Sequence, residues 1–384
     1  MLFSNIIGLP HIKKHLTTTA DRSRIPHAQL FVGKNGSGTL PMAIAYAQYI
    51  LCQNSEGENS SGVSSCNVKF NNLSHPDLHF AFPVATNDKV KSHPVSSNFL
   101  TEWRKFVASN PYANLLDWYQ EIGIEKKQGQ IGVDEAQDIV KSLSLKSYEG
   151  GFKVMLIWMA EKINTAAANK LLKLIEEPPN KTLFILITED EEQIIQTIRS
   201  RCQTLHFPPL AEADIAQALI DKYDCDKSEA LKTAHQANGS YTNAIHIYEK
   251  KSGDEQFEKW FIQWVRTAFK AKGNKATVLE LISWSEEIAA LGRETQKSFL
   301  EFCIDFFRQA LMMNYKAEGL VYLLPETPGF KLENFAPFIH GGNIIPITQA
   351  LEEAAYHIER NGNAKIIFTD LSIKLTRFLH KKAA

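Results

Sequence analysis

The stretch Gly33-Lys34-Asn35-Gly36-Ser37-Gly38-Thr39-Leu40 has the glycine frame of a phosphate-binding loop. Such a loop holds phosphate with backbone N–H groups and a helix N-terminus. A Lys after the last glycine reaches the β/γ-phosphates, and the hydroxyl residue that follows binds magnesium. Gly33 and Gly38 set the register, so Thr39 stands in the Lys position and Leu40 in the hydroxyl position. Lys34 cannot replace the missing Lys, because that reading needs Gly at position 28, which is Ala. A second segment loses the same chemistry. Val154-Met155-Leu156-Ile157 is followed by Trp158-Met159, where an Asp-Glu pair would ligate magnesium and polarise water. Glu161 lies two residues too far along and reads as a solvated acid leading a helix. The third group is Ser200-Arg201-Cys202. The planar fork of an arginine pairs with phosphate oxygens and, supplied from a neighbouring molecule, stabilises charge on a transferring phosphoryl group.

These groups need a scaffold, and the apolar pattern predicts one. Ala28–Val32 is a short strand entering the glycine loop, and Ala43, Ile44, Tyr46, Ala47 and Ile50 form the apolar stripe of the helix that follows. Residues 53–67 are polar and rich in Ser, Asn and Gly, which predicts a surface loop. Residues 85–130 read as an insertion with helices around Phe99–Phe106 and Leu115–Ile122, and Gly132–Leu145 as a further helix. Lys153–Trp158 and Leu183–Ile187 are buried strands. The helix between them is capped by Asn164 or Thr165, packs through Ala168, Leu171, Leu172 and Ile175, and ends at Pro178-Pro179. Strand, helix and strand at this spacing imply a parallel sheet. Pro208-Pro209 marks a boundary. Beyond it come short helices around Ala216–Ile220 and Ser228–Gln236. Amphipathic helices follow, covering Trp260–Phe269, Leu279–Leu291, Thr295–Met312, Ile347–Asn361 and Ala364–Leu379.

The 384 residues exceed what one core usually serves, so two or three domains are expected. The net charge of −1 excludes a global basic field for nucleic acid or acidic lipid, while leaving room for local basic patches. The five cysteines are scattered, at 52, 66, 202, 225 and 303, which argues against a secreted disulfide framework. The N-terminus does not read as a signal peptide, and no apolar run approaches the roughly 20 residues of a membrane helix. The expectation is a cytoplasmic protein without a membrane partner.

The run Asn169-Lys170-Leu171-Leu172-Lys173-Leu174-Ile175-Glu176-Glu177-Pro178-Pro179, then Leu183–Thr188, then Ile198-Arg199-Ser200-Arg201-Cys202-Gln203, resembles bacterial DNA polymerase III clamp-loader subunits. Ile25-Pro26-His27-Ala28 and His75-Pro76-Asp77-Leu78 fit the same family. With both ATP-handling segments degenerate and Ser-Arg-Cys retained, the resemblance is to the delta-prime branch rather than to gamma/tau. It covers residues 3–250 and, beyond them, rests on length and helical character.

The resemblance implies an α/β plus all-α protein in three parts. These are a RecA-like AAA+ parallel-sheet domain over 1–207, a small helical lid over 208–252, and a C-terminal helical collar for oligomerisation over 253–384. It implies that Arg201, flanked by Ser200 and Cys202, reaches ATP held by an adjacent gamma subunit. It also implies that Gly33, Gly36, Gly38 and Thr39 form a degenerate loop holding no cofactor, so that no intrinsic ATPase activity is expected. Thr188 takes the polar sensor position and Thr242 stands where the lid's sensor arginine would be. The implied partners are the gamma/tau and delta subunits and, indirectly, the sliding clamp and primer–template DNA, within the DNA-directed DNA polymerase holoenzyme. Lys170 and Lys173 would line the central chamber, where any DNA contact is to phosphates. The family often carries a four-cysteine zinc module. Here Cys52 and Cys66 remain, with Ser60, Ser61, Ser64 and Ser65 where further cysteines would be expected, so no metal is expected and the pair reads as a remnant. Cys202 is expected to pack as a small buried hydrophobe. Two rival readings stay open: a working gamma-like AAA+ motor with a divergent loop, and an interaction protein with a fossil ATPase module.

Overall fold

The computed structural model describes residues 1–52, 65–149, 151–249, 253–317, 320–321, 325 and 327–382. The polar stretch with Ser60, Ser61 and Ser64, and the expected lid–collar boundary at 252, lie outside the described residues. The chain divides into two compact units. One comprises Met1–Ile124 and Gln128–Ile247, the other Glu125–Lys127 and Tyr248–Ala384.

The first unit begins with α1 (Pro10–Asp21), β1 (Ala28–Val32), α2 (Thr39–Cys52), α3 (Ser65–Asn71) and β2 (Leu78–Ala81). It continues with α4 (Leu100–Ser109), α5 (Leu115–Glu121), α6 (Val133–Ser144), β3 (Lys153–Trp158), α7 (Thr165–Glu176) and β4 (Thr182–Thr188). It closes with α8 (Gln196–Arg199), β5 (Gln203–His206), α9 (Glu212–Tyr223), α10 (Lys227–Gln236) and α11 (Tyr241–Tyr248). The five strands form one sheet in the order β2-β3-β4-β1-β5, and every pairing is parallel. β3 and β4 are buried along their whole length, as continuous apolar runs require when helices cover both faces.

One face of the sheet presents Leu30, Met155, Ile157, Phe184 and Leu186 to α6 and α7. Asn164 caps α7 by accepting from the Ala167 N–H at 2.8 Å. The insertion supplies an aromatic cluster in which Trp103 stacks on Phe82 with ring centroids 4.2 Å apart and meets Trp118 edge-on at 5.3 Å. The loop expected over 53–67 is corrected at its end, where residues 65–67 begin α3. Cys66 and Phe70 are buried there, and this packing, invisible in a polar composition, makes the segment helical. β2 went unrecognised because its four residues, Leu-His-Phe-Ala, carry too little pattern.

The second unit comprises α12 (Gly253–Lys270), α13 (Lys275–Ala289), α14 (Arg293–Asn314), α15 (Leu332–Phe335), α16 (Ile344–Glu359) and α17 (Ala364–Leu379). Its core is aromatic. Trp264 and Trp284 stack at 5.0 Å with planes 1° apart, and the Trp264 indole N–H donates to the Ser372 hydroxyl at 2.8 Å. Among the described residues, no helix is long and apolar enough to cross a membrane.

Candidate functional site

Because all five strands run parallel, the sheet has one edge where strands end and an opposite edge where they begin. Open parallel sheets hold ligands at the first of these. The glycine loop leaves β1 there, Trp158-Met159 leaves β3 and Thr188 ends β4. Val32 pairs with Thr188 in the register, and the Gly33 N–H donates to the Thr188 carbonyl at 3.1 Å.

The loop is closed against its surroundings. Gly36 and Gly38 adopt φ of +76° and +90°, which a side chain would strain. The Gly36 carbonyl accepts from the Tyr241 N–H at 3.1 Å, so the start of α11 sits directly on the loop. A Cβ on Gly36 would lie 2.9 Å from the backbone nitrogens of both Tyr241 and Thr242. Tyr112, from the insertion, covers Gly38: a Cβ there would lie 3.2 Å from its ring. The Tyr112 hydroxyl accepts from the Ile7 N–H at 2.9 Å, and its carbonyl accepts from the Thr242 hydroxyl. Burial raises the Tyr112 hydroxyl above its ordinary range, so it stays protonated.

The cavity left between loop, Tyr112 and Trp158 measures about 20 Å³. That is room for about one water, whereas small-molecule sites span roughly 300–1,000 Å³. Leu40 and Trp158 are buried core residues, 3% exposed each. Trp158 packs on Trp103 at 5.2 Å, so the exit of β3 is filled by the insertion's aromatic core. Lys34 is exposed.

Glu161 departs from the expected solvated acid. The residue is half-buried, but its Oε2 is sealed from solvent with no hydrogen-bond partner, and burial pushes the carboxyl above its usual range. Hydrogen-bonding groups at Glu161 itself, Thr188 and Glu189 offset this in smaller part. The short turn Ala160–Lys162 aims the side chain inward, which a sequence offset of two residues could not reveal. The Thr188 hydroxyl donates to the Asp190 carbonyl at 3.0 Å and accepts from the Asp190 N–H at 3.2 Å.

Ser200-Arg201-Cys202 lies at the other edge of the sheet. It directly precedes β5, whose Gln203 pairs with Gln29 and whose His206 pairs with Val32. The triplet therefore stands beside the start of β1, separated from the glycine loop by the length of the strand, roughly 16 Å at about 3.3 Å per residue. Arg201 is half-exposed. Its Nη1 donates to the Thr197 carbonyl at 2.8 Å and its Nη2 lies 3.2 Å from Glu176 Oε1, while its Nε is buried without a partner. Cys202 packs against the sheet–helix core, and burial pushes its thiol up to about 11.

Cys52 and Cys66 are joined in a disulfide. In that state neither sulfur offers the thiolate that zinc requires. His75 and Glu149 bring ligand atoms within 4.8 Å of Cys66 Sγ. The His75 ring, however, holds its own turn by accepting from the Asp77 N–H at 3.2 Å. The buried Asp77 carboxylate in turn accepts from the N–H groups of Tyr148 and Glu149 at 2.7 and 3.0 Å. Sequence spacing gave no sign of the disulfide or of Tyr112 as a cover.

The sequence profile of the family described as "DNA polymerase III, delta subunit" matches residues 8–211. The chain is similar to DNA polymerase III subunit delta' of Bacillus subtilis, with 29% identity over 64% of this chain and 60% of that protein. It is similar to the subunit delta' of Escherichia coli at 23% identity over 95% of this chain and 93% of that protein. The solved Bacillus subtilis DNA clamp loader delta protein aligns over 96% of this chain and 99% of its own, at 11% identity and a TM-score of 0.31. With its parallel sheet, its loop frame and its Ser-Arg-Cys triplet, this chain belongs to the DNA polymerase III delta subunit family, as a delta-prime-like clamp-loader subunit.

Proposed function

We propose that the chain is a non-hydrolysing subunit that supplies Arg201 in trans to ATP held by a neighbouring gamma/tau subunit during sliding-clamp loading. The observation that carries this reading is the division of the chemistry between the two sheet edges. The half-exposed arginine stands at the edge away from the chain's own loop, while that loop has Thr39 and Leu40 in its functional positions and a cavity of about 20 Å³. A guanidinium so placed can act only on a nucleotide that another molecule brings to it. The loop, held by Tyr241 and covered by Tyr112, serves as a rigid joint between sheet and lid.

On this reading the first compact unit comprises a RecA-like part over 1–207 and the lid after it, and the second unit forms the collar. The partners are the gamma/tau and delta subunits, with the clamp and primer–template DNA reached through the complex, in the cytoplasm. The decisive experiment replaces Arg201 with Ala and reconstitutes the complex. ATPase activity should fall at one site and clamp loading should fall with it, while the complex still assembles. Unchanged turnover and loading would leave an interaction protein with a fossil module. Micromolar ATP binding with turnover by the isolated chain would favour a gamma-like motor.

A further inference from the structure

The first 50 residues contain five Lys and Arg side chains, Lys13, Lys14, Arg22, Arg24 and Lys34, against one acid, Asp21, in a chain of net charge −1. The fold gathers part of that excess on one surface. His11, Lys14, Thr18 and Arg22 follow one another at three- and four-residue steps, which puts them on a single face of α1 and its C-cap. The turn after the helix folds back, with the Arg24 N–H donating to the Thr19 carbonyl at 3.0 Å and Ser23 at φ +52°. Arg24 and His15 both line the groove of about 440 Å³ that results.

Among the described residues, no acid lines this groove. The acid at the end of the helix, Asp21, accepts from the Tyr49 hydroxyl at 2.6 Å. Lys13, on the neighbouring face, donates to the Ile6 carbonyl at 2.5 Å. His11, Lys14, His15, Arg22 and Arg24 form no ion pair among the described residues. A concave surface that gathers the three cations Lys14, Arg22 and Arg24 without counter-charges is electrostatically unfavourable unless an anion completes it.

We propose that this face of α1 binds the phosphodiester backbone of nucleic acid. The shape of the array selects this occupant over a single phosphate. From His11 to Arg22 it extends about 16 Å at roughly 1.5 Å per residue, and does not converge on one point. One nucleic-acid strand presents a charge about every 3.4 Å of axis, so several successive phosphates can pair along that length. The Thr18 hydroxyl adds a hydrogen-bond donor to phosphate oxygens, while the Thr19 hydroxyl donates to the His15 carbonyl at 2.8 Å. Nothing in the groove is arranged to read base edges, so binding is independent of sequence. Arg201 is not among the residues that line this groove.

The test is fluorescence anisotropy of a labelled single-stranded oligothymidylate, and of a duplex of equal length, titrated with the full chain. Binding should appear at about 50 mM salt and weaken toward about 200 mM, with a log–log slope of roughly −2 to −4. Lys14→Gln with Arg22→Gln should weaken it at least about tenfold, and Arg24→Gln alone should weaken it measurably. These exposed side chains can be exchanged with the thermal unfolding midpoint as a folding control. Arg201→Ala should leave binding intact, so failure here and failure of the trans-arginine reading are separable. The proposal is overturned by no binding at low salt, or by full binding in the α1 variants. Loss through Lys170→Gln with Lys173→Gln in their place would also overturn it. So would capture of the chain by anionic phosphatidylserine vesicles through the same residues without any binding of nucleic acid.

Discussion

Arg201 Nη2 lies 3.2 Å from Glu176 Oε1, joining the last turn of α7 to the turn that leads into β5. Both side chains are partly exposed, so the pair adds little to stability, below about 1 kcal/mol. It does fix where the guanidinium points, together with the Thr197 carbonyl. Arg201→Lys should therefore fold normally, with a thermal midpoint within about 2 °C of the parent. It should nevertheless lose most of the arginine's effect in the reconstituted complex, because an ammonium lacks the bidentate fork. Where an arginine finger is worth about 10³ in turnover, Lys should recover less than a tenth of it. Steady-state ATPase rates and differential scanning calorimetry check the two halves.

Returning the two missing loop side chains should not by itself create a nucleotide site. Thr39→Lys with Leu40→Thr restores the motif, but Tyr112 and Tyr241 still close the loop. Isothermal titration with Mg-ATP should detect no binding. The same variant should be less stable by about 2–3 kcal/mol, because Leu40 is buried and threonine both leaves a cavity and buries a hydroxyl. Urea denaturation measures that cost.

The Cys52–Cys66 disulfide closes a loop with a sequence separation of 14. On the chain-entropy account such a cross-link is worth about 3 kcal/mol. Cys66→Ser should lower the urea midpoint of the oxidised protein by a corresponding amount. In dithiothreitol the difference between parent and variant should shrink to a small residue. An equal difference with and without reductant would show that packing of the sulfur, not the cross-link, sets the effect.

Glu135 gives a pH signature. The residue is 3% exposed, its carboxyl accepts from the Ser96 N–H at 2.5 Å, and burial pushes the pKa up to about 7 from 4.5. The folded state thus binds a proton more tightly than the unfolded chain does. The associated stability is fully present below about pH 4.5 and is lost as pH rises through about 7, amounting to about 3 kcal/mol. Glu135→Gln keeps the shape and removes the titration. Its stability relative to the parent should therefore rise between pH 5 and pH 8, read from urea midpoints at both values.

Local order along the chain determined the individual strands and helices. The buried strands at Lys153–Trp158 and Thr182–Thr188, and the amphipathic helices on either side, follow from apolar runs and their spacing, which neighbouring residues carry by themselves. The substitutions in the glycine loop and after β3 were legible for the same reason, because a motif register counts residues along one segment. What fills those positions was not. That Trp158 anchors an aromatic cluster with Trp103, that Tyr112 covers Gly38, and that the start of α11 bonds Gly36 all join residues tens to hundreds of positions apart. The sealed Glu161 oxygen and the Cys52–Cys66 bond depend likewise on burial and approach in space. The order β2-β3-β4-β1-β5 also lay beyond the sequence, since it depends on which strands pair across long crossovers. It is this order, with every strand parallel, that sets Arg201 and the glycine loop at opposite edges of one sheet.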